Sequence, residues 1–380
     1  MNDFFRKVLR GIIHVFVRIG TLFNSKFVFE CMNAICEESC SSLEGIVTYN
    51  VRPSNSDQIY ELKIEQRKLP KTFIILQGPI MVKGNFTIET ILMYKKTMPQ
   101  AHIVVSTWDD ADADVISRIK EMEVTVLLNR VPDKSGMGNI NYQVKSTNAG
   151  LKYAKDNGAE YVLKTRTDQR LERPFLLEYL FSLLEQFPLG SGFEYLNQSS
   201  RIVVGQGTTS ATMFIPYFIS DFYYFGSTDD IVHYFDYDLQ DFQCSYEERS
   251  KLLQKWKQTD TVYEYTAKSA PEIMLAQNYV SLKGRKKTAN TVEAYWGFVK
   301  NNLICVSHND VQLYWPKYDR MKLENKIHFL YYPGDNSSKS MIYNWTFQNW
   351  LSIYTGNLIY SEKCEILASL PASNIGSSVI

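Results

Sequence analysis

A chain of 380 residues that is 45% hydrophobic has a globular composition and can bury a sizeable core, as one large domain or two ordinary ones. Its 41 basic and 41 acidic side chains cancel, which excludes a global field drawing the molecule to nucleic acid or to an anionic surface. Six cysteines, at 31, 36, 40, 244, 305 and 364, are too sparse for a disulfide scaffold and have no CxxC pair, which favours a reducing compartment over a thiolate metal site.

Residues 1–30 form the first segment and read as a basic amphipathic helix. Arg6, Arg10, His14 and Arg18 recur at intervals of four, while Phe4, Phe5, Leu9, Ile12, Ile13, Phe16, Ile19, Leu22 and Phe23 cover much of the remaining surface. Charges interrupt it too often for a span of about 20 residues, and no small-residue cleavage site follows as in a secretory signal. The expectation is a helix lying in a membrane surface with its arginines toward lipid phosphates; the alternative is packing on the protein's own core. Residues 31–70 read as a linker or N-terminal extension ending at Pro70.

A regular pattern then begins. "TFIILQGPI" (72–80) is an apolar strand stopped by Gly78 and Pro79, and "FTIETILMYKKT" (86–97) is a helix closed by Pro99. "AHIVVSTWDD" is a buried strand running into Trp108, Asp109 and Asp110; a helix to about Met122 and a short strand, "VTVLLN", follow. The loop "RVPDKSGMGN" leads into the helical "YQVKSTNAGLKYAKDNG" and then the strand "AEYVLKT". Continuous apolar strands alternating with helices predict an α/β fold, a mostly parallel sheet covered on both faces. Ligands of such sheets bind beyond the carboxyl ends of the strands. Gln77 with Gly78, Asp109 with Asp110, and Arg166 with Asp168 all stand at those ends, so three segments are expected to converge on one nucleotide-type crevice. Neither GxGxxG nor GxxxxGK[ST] follows any strand, which removes the usual cradles of dinucleotide and ATP chemistry.

Further on, "RIVVGQGTTSATMFIPYFISDFYYFGSTDD" predicts two strands around a loop, with Asp221 inside an aromatic segment. "APEIMLAQNYVSLKG" predicts a helix with Pro271 and Glu272 in its first turn, where both suit the helix start. The basic loop "KGRKK" around Arg285 either closes over phosphates, faces lipid, or is simply solvated. "NLICVSHND" is a strand ending at His308. The core segment is expected over 71–310, with 311–380 as a C-terminal extension whose tail, "ASLPASNIGSSVI", is poorly ordered.

Taken together, "ILQGPI", "IVVSTWDDAD", "NINYQVKSTNAGL", "AEYVLKTRTDQR" and "ISDFYYFG" resemble the WavE lipopolysaccharide synthesis family over about residues 72–226, with weaker agreement at "APE" near Glu272. The layout around Asn148 and the strand after it is similar to the nucleotide-binding half of GT-A glycosyltransferases. The resemblance implies a GT-A-like fold, a nucleotide-sugar donor, a lipopolysaccharide, capsule or lipid-linked glycan acceptor, and a cytoplasmic site on the inner face of the membrane. In many GT-A enzymes this strand ends in Asp-x-Asp, which holds Mn or Mg against the donor diphosphate. Here Arg166 stands in place of the first Asp. Asp168 is left to bind metal or to position the ribose, and Arg166 or Arg170 to supply fixed positive charge.

The resemblance further implies that His308 is either a metal ligand or a loop histidine, and that Gln77, Gly78, Asn148, Asp109 and Asp110 stand near the donor, the last two alternatively as helix caps. Glu272 is implied as the general base that takes the acceptor's proton; Asp221 competes for that role or binds acceptor hydroxyls. Two other readings stay open. One is a non-catalytic glycan-assembly partner, suggested by the absent first carboxylate. The other is a nucleotidyl transferase, for which "LQGPIMVKGN" offers only two glycines and one lysine.

Overall fold

The computed structural model describes residue 8 and residues 11–19, 25–43, 52–59, 67–206, 212–243, 246–316 and 344–374. The chain divides into two compact units, Met1–Arg52 with Tyr332–Ser338, and Pro53–Tyr331 with Lys339–Ile380. In the first unit, α1 (residues 11–19) is exposed along its whole length, and α2 (Ser25–Leu43) follows. Phe16 of α1 and Phe27 of α2 meet with ring centroids 6.3 Å apart. Among the described residues no helix is long and apolar enough to cross a membrane. Residues 1–7, 9–10 and 20–24, on which part of the amphipathic expectation falls, lie outside the described residues.

The second unit is built on one seven-stranded sheet. Its strands are β1 (Thr72–Gln77), β2 (His102–Trp108), β3 (Thr125–Asn129), β4 (Tyr161–Arg166), β6 (Ile202–Gln206), β7 (Tyr224–Ser227) and β8 (Leu303–Ser307), in the order β3-β2-β1-β4-β7-β6-β8. A separate two-stranded ribbon pairs β5 (Arg170–Leu171) with β9 (Leu313–Tyr314). The β3-β2-β1-β4 block is parallel, and β7 is antiparallel to both β4 and β6, while β6 and β8 are parallel. One reversed strand set into an otherwise parallel sheet makes the fold GT-A-like, as the resemblance implies. The apolar runs explain the pairing: all six residues of β1 are buried, because helices cover both faces. Each such aliphatic side chain removed from water contributes roughly 1.5–3 kcal/mol.

The covering helices are α3 (Phe86–Thr97), α4 (Ala113–Glu121), α5 (Ile140–Asp156), α6 (Leu176–Gln186), α7 (Thr228–Tyr234), α8 (Tyr246–Thr259), α9 (Val262–Ser269), α10 (Pro271–Val280), α11 (Val292–Asn302), α12 (Phe347–Tyr354) and α13 (Ile366–Ser369). The helix α5 lies close on β1: a Cβ on its Gly150 would come within 2.4 Å of Ile75 Cγ2. α4 is capped by Asp112, whose carboxylate accepts from the backbone N–H of Asp114 at 2.9 Å and Val115 at 3.3 Å.

The C-terminal part differs from expectation. Trp345 and Trp350 are fully buried, and Trp345 Nε1 donates to Tyr295 Oη at 2.7 Å. The tail segment includes the last two residues of α13, a bridge from Pro371 to Thr261 and a buried Ala372, as far as residue 374. Residues 375–380 lie outside the described residues.

Candidate active site

Beyond the carboxyl ends of β1, β2 and β4 lies a cavity of about 600 Å³. Gln77 and Gly78 end one strand there, Trp108 another and Arg166 the third, as the convergence argument expects for those segments. Other walls come from Tyr142 and Gln143 of α5, Asp221 before β7, Arg249 of α8, Glu272 of α10 and Trp315 after β9. The opening loop of α5 meets the start of α10 so closely that a Cβ on Gly138, where φ is 59°, would fall 2.6 Å from Pro271 Cγ. Glycine adopts that backbone at no steric cost and leaves room for the proline.

The tip of β4 is pinned to that of β1. Thr167 donates its backbone N–H to Gln77 O at 3.1 Å and its hydroxyl to Pro79 O at 2.6 Å. On this fixed turn Arg166 folds back on Asp168 in a two-pronged pair, Nε to Oδ1 at 2.8 Å and Nη2 to Oδ2 at 3.1 Å. Trp315 Nε1 donates to the same Oδ2 at 3.1 Å, and its ring lies 5.0 Å beneath the guanidinium. The third nitrogen of Arg166, Nη1, stands 3.7 Å from Asp221 Oδ2. The short β5–β9 ribbon brings Trp315 here from a distant part of the chain.

This arrangement does not suit a divalent metal at Asp168. Both oxygens of Asp168 already accept hydrogen bonds, and the guanidinium that supplies two of them would repel a second cation at that spot. His308 is buried after β8 and does not line the cavity. Among the described residues no three His, Cys, Asp or Glu side chains gather in a group that would hold a metal ion.

A second set of charges lies deeper. Lys164, two residues before Arg166 on β4, is 0% exposed and donates its Nζ to Asp221 O at 2.9 Å. The rings of Tyr224 and Phe235 flank the ammonium at 5.6 and 5.3 Å. Burial lowers its pKa to about 8, against the pull of nearby Asp221. Glu272, in the first turn of α10, is shifted the other way. Burial, reinforced by Asp221, raises it to about 7, although its own backbone N–H, Arg166 and Lys164 favour the charged form. A carboxyl group poised near neutrality on a cavity wall is suited to take a proton from a hydroxyl. The upper walls are aromatic: Trp108 meets Tyr142 edge to face at 5.4 Å, and Phe222 meets Trp315 likewise at 5.1 Å. Such faces suit flat bases and the apolar faces of sugars.

Besides His308, four further expected site residues stand elsewhere. Arg170 is buried in β5, where it donates to Thr90 Oγ1, Pro53 O and Phe86 O and faces Glu172, so it ties elements together. Asn148 donates to Phe235 O, joining α5 to the segment after α7. Asp109 and Asp110 are exposed beyond β2, outside the cavity lining, and the cap of α4 is Asp112 instead. Around Arg285 the loop is exposed, and its Lys283 pairs with Asp236 and Asp238. Conversely, sequence reading does not single out Lys164, Gln143, Arg249 or Trp315. A lysine inside an apolar strand run, as in "YVLKT", is the one available signal for the first.

The family model for WavE lipopolysaccharide synthesis matches residues 72–377. A search of curated proteins finds no match. Among solved structures, the chain is similar to a putative nucleotide-diphospho-sugar transferase from Desulfovibrio desulfuricans G20, at 12% identity and a TM-score of 0.28, over 56% of this chain and 97% of that one. A putative glucose-1-phosphate thymidylyltransferase from Bacillus anthracis matches at 10% identity and 0.28, over 59% and 99%. S. aureus TarS matches at 12% and 0.29, over 63% of this chain and 35% of that one. At these scores the likenesses add nothing to what the sheet order shows by itself.

Proposed function

Because the chain belongs to the WavE lipopolysaccharide synthesis family, we propose that it is a glycosyltransferase that moves a sugar from a nucleotide-sugar donor onto a lipopolysaccharide- or capsule-type acceptor. The observation that carries this reading is Glu272, a carboxyl group with a pKa raised to about 7 that lines the same cavity as the strand-end residues Gln77 and Arg166. In an inverting transfer the acceptor hydroxyl gives its proton to Glu272 as its oxygen bonds the anomeric carbon. The bond from that carbon to the diphosphate breaks, and the nucleoside diphosphate leaves with the electron pair. Asp221 is the weaker candidate for the base because its carboxylate faces Arg166; it suits binding of acceptor hydroxyls.

A membrane-surface position on the cytoplasmic side belongs to the same proposal. On α1, Ile12, Phe16 and Ile19 recur at helical spacing and are 62%, 50% and 51% exposed, while His14 and Arg18 fall on another side. That pattern supports an interfacial helix that brings the site to a lipid-linked acceptor.

The test is release of nucleoside diphosphate from UDP-, GDP-, CDP- and dTDP-sugars, and of CMP from CMP-sugars, by purified protein with lipopolysaccharide or lipid-linked glycan. The expected result is turnover of one donor class that Glu272→Gln abolishes. A second reading, a non-catalytic assembly partner, is favoured by the closed Arg166–Asp168 pair. Donor turnover by the wild-type protein alone eliminates it.

A further inference from the structure

Resting on the nucleotide-sugar reading, we propose that Arg249 of α8, aided by the side-chain amide of Gln143, grips the donor diphosphate and does so without a metal ion. A leaving diphosphate gathers negative charge that something in the cavity must offset. The cations at the strand ends are already committed. Arg166 is paired with Asp168 and faces Asp221, and Lys164 is buried beneath the main chain of Asp221. The carboxylate of Asp168 is engaged by Arg166 and Trp315, and the guanidinium beside it disfavours a second cation there.

Arg249 differs from both. It lines the cavity, its Nε is shut off from solvent without a hydrogen-bond partner, and among the described residues no carboxylate pairs with it. Gln143 lines the same cavity, is only 9% exposed, and its Nε2 likewise has no partner. A buried donor left unpaired is costly, and native structures seldom keep one without a reason. Both of these atoms are donors, so the ligand that satisfies them is rich in acceptors, and the guanidinium asks for an anion. Its planar fork matches phosphate oxygens in a way that an ammonium does not.

The experiment is titration calorimetry of the full-length protein with UDP, GDP, CDP and dTDP, each with and without EDTA, using wild type, Arg249→Ala, Arg249→Lys and Gln143→Ala. The corresponding nucleoside monophosphates serve as comparators. Wild type is expected to bind one diphosphate equally well in EDTA. Arg249→Ala should weaken that binding about 10- to 100-fold and erase the preference for diphosphate over monophosphate, with Arg249→Lys intermediate and Gln143→Ala milder. Thermal melting confirms that each variant is folded; if Arg249→Ala is not, Arg249→Gln carries the same test while keeping most of the stem. Unchanged diphosphate affinity in the folded Arg249 variants, or wild-type binding abolished by EDTA, overturns the clamp and leaves the nucleotide-sugar reading standing. Binding of a monophosphate but of none of the four diphosphates overturns the clamp alone, and failure of wild type to bind any of these nucleotides overturns that reading, and the clamp with it.

Discussion

The two sides of the cavity are built differently. At the tip of β4, Arg166, Asp168, Trp315 and Asp221 satisfy one another, and hydroxyls from Thr167 and Thr87 lock the turn. On the helices opposite, Glu272 holds a raised pKa, and Gln143 and Arg249 present unpaired donors. The satisfied side is a scaffold whose geometry is complete before any ligand arrives. The unsatisfied side carries the polar groups that gain most from binding and from proton transfer, so chemistry is expected to depend more on the helices than on the strand tip.

The sharpest way to break this contrast is at Glu272. Glu272→Gln should lower turnover by about 100- to 10,000-fold, the usual contribution of a general base, measured as nucleoside diphosphate release. The same variant should gain stability at pH 8. A folded pKa of about 7 against an ordinary 4.5 means that the folded protein holds a proton the unfolded chain releases between those values. Stability therefore falls as pH rises through that window. Removing the titration restores about 3 kcal/mol at pH 8, a few degrees in Tm, and nothing below pH 4.5. Melting curves at the two pH values check it.

Next in size is Arg166→Ala, which leaves Asp168 and Asp221 facing each other without their shared cation. A loss of about 1–3 kcal/mol is expected in denaturant unfolding, because the scaffold side is stable only as a set. Lys164→Met should act through Glu272. Without the ammonium the carboxyl group is harder to ionise, so the acidic limb of the pH–rate profile should move upward. A merely structural lysine would lower the rate and leave the limb in place. Smallest is Asp109→Ala with Asp110→Ala: exposed and outside the cavity lining, they should change stability by about 0.5 kcal/mol or less and leave turnover near wild type.

The same contrast explains what was legible in the sequence. Apolar runs such as "TFIILQ" announce buried parallel strands, and their ends announce Gln77, Arg166 and the crevice. Glu272 was legible as the acid in a Pro-started helix. Partners that arrive by long-range pairing were not. Trp315 reaches Asp168 through a ribbon of two-residue strands, and Arg249 belongs to a helix whose sequence, "YEERSKLLQKWKQT", reads as a solvated surface. Arg170 and Asn148 stand away from the cavity lining for the converse reason. A polar side chain in a strand or a covering helix serves just as well to satisfy buried carbonyls, and both do so here.

The pH dependence of sugar transfer, comparing wild type with Glu272→Gln on the donor that turns over, tests the central claim most directly. In the wild type kcat/KM is expected to rise through an apparent pKa near 7, and the variant to lose both the rate and the inflection. A variant that keeps wild-type turnover with the same inflection would contradict it and remove Glu272 from the chemistry.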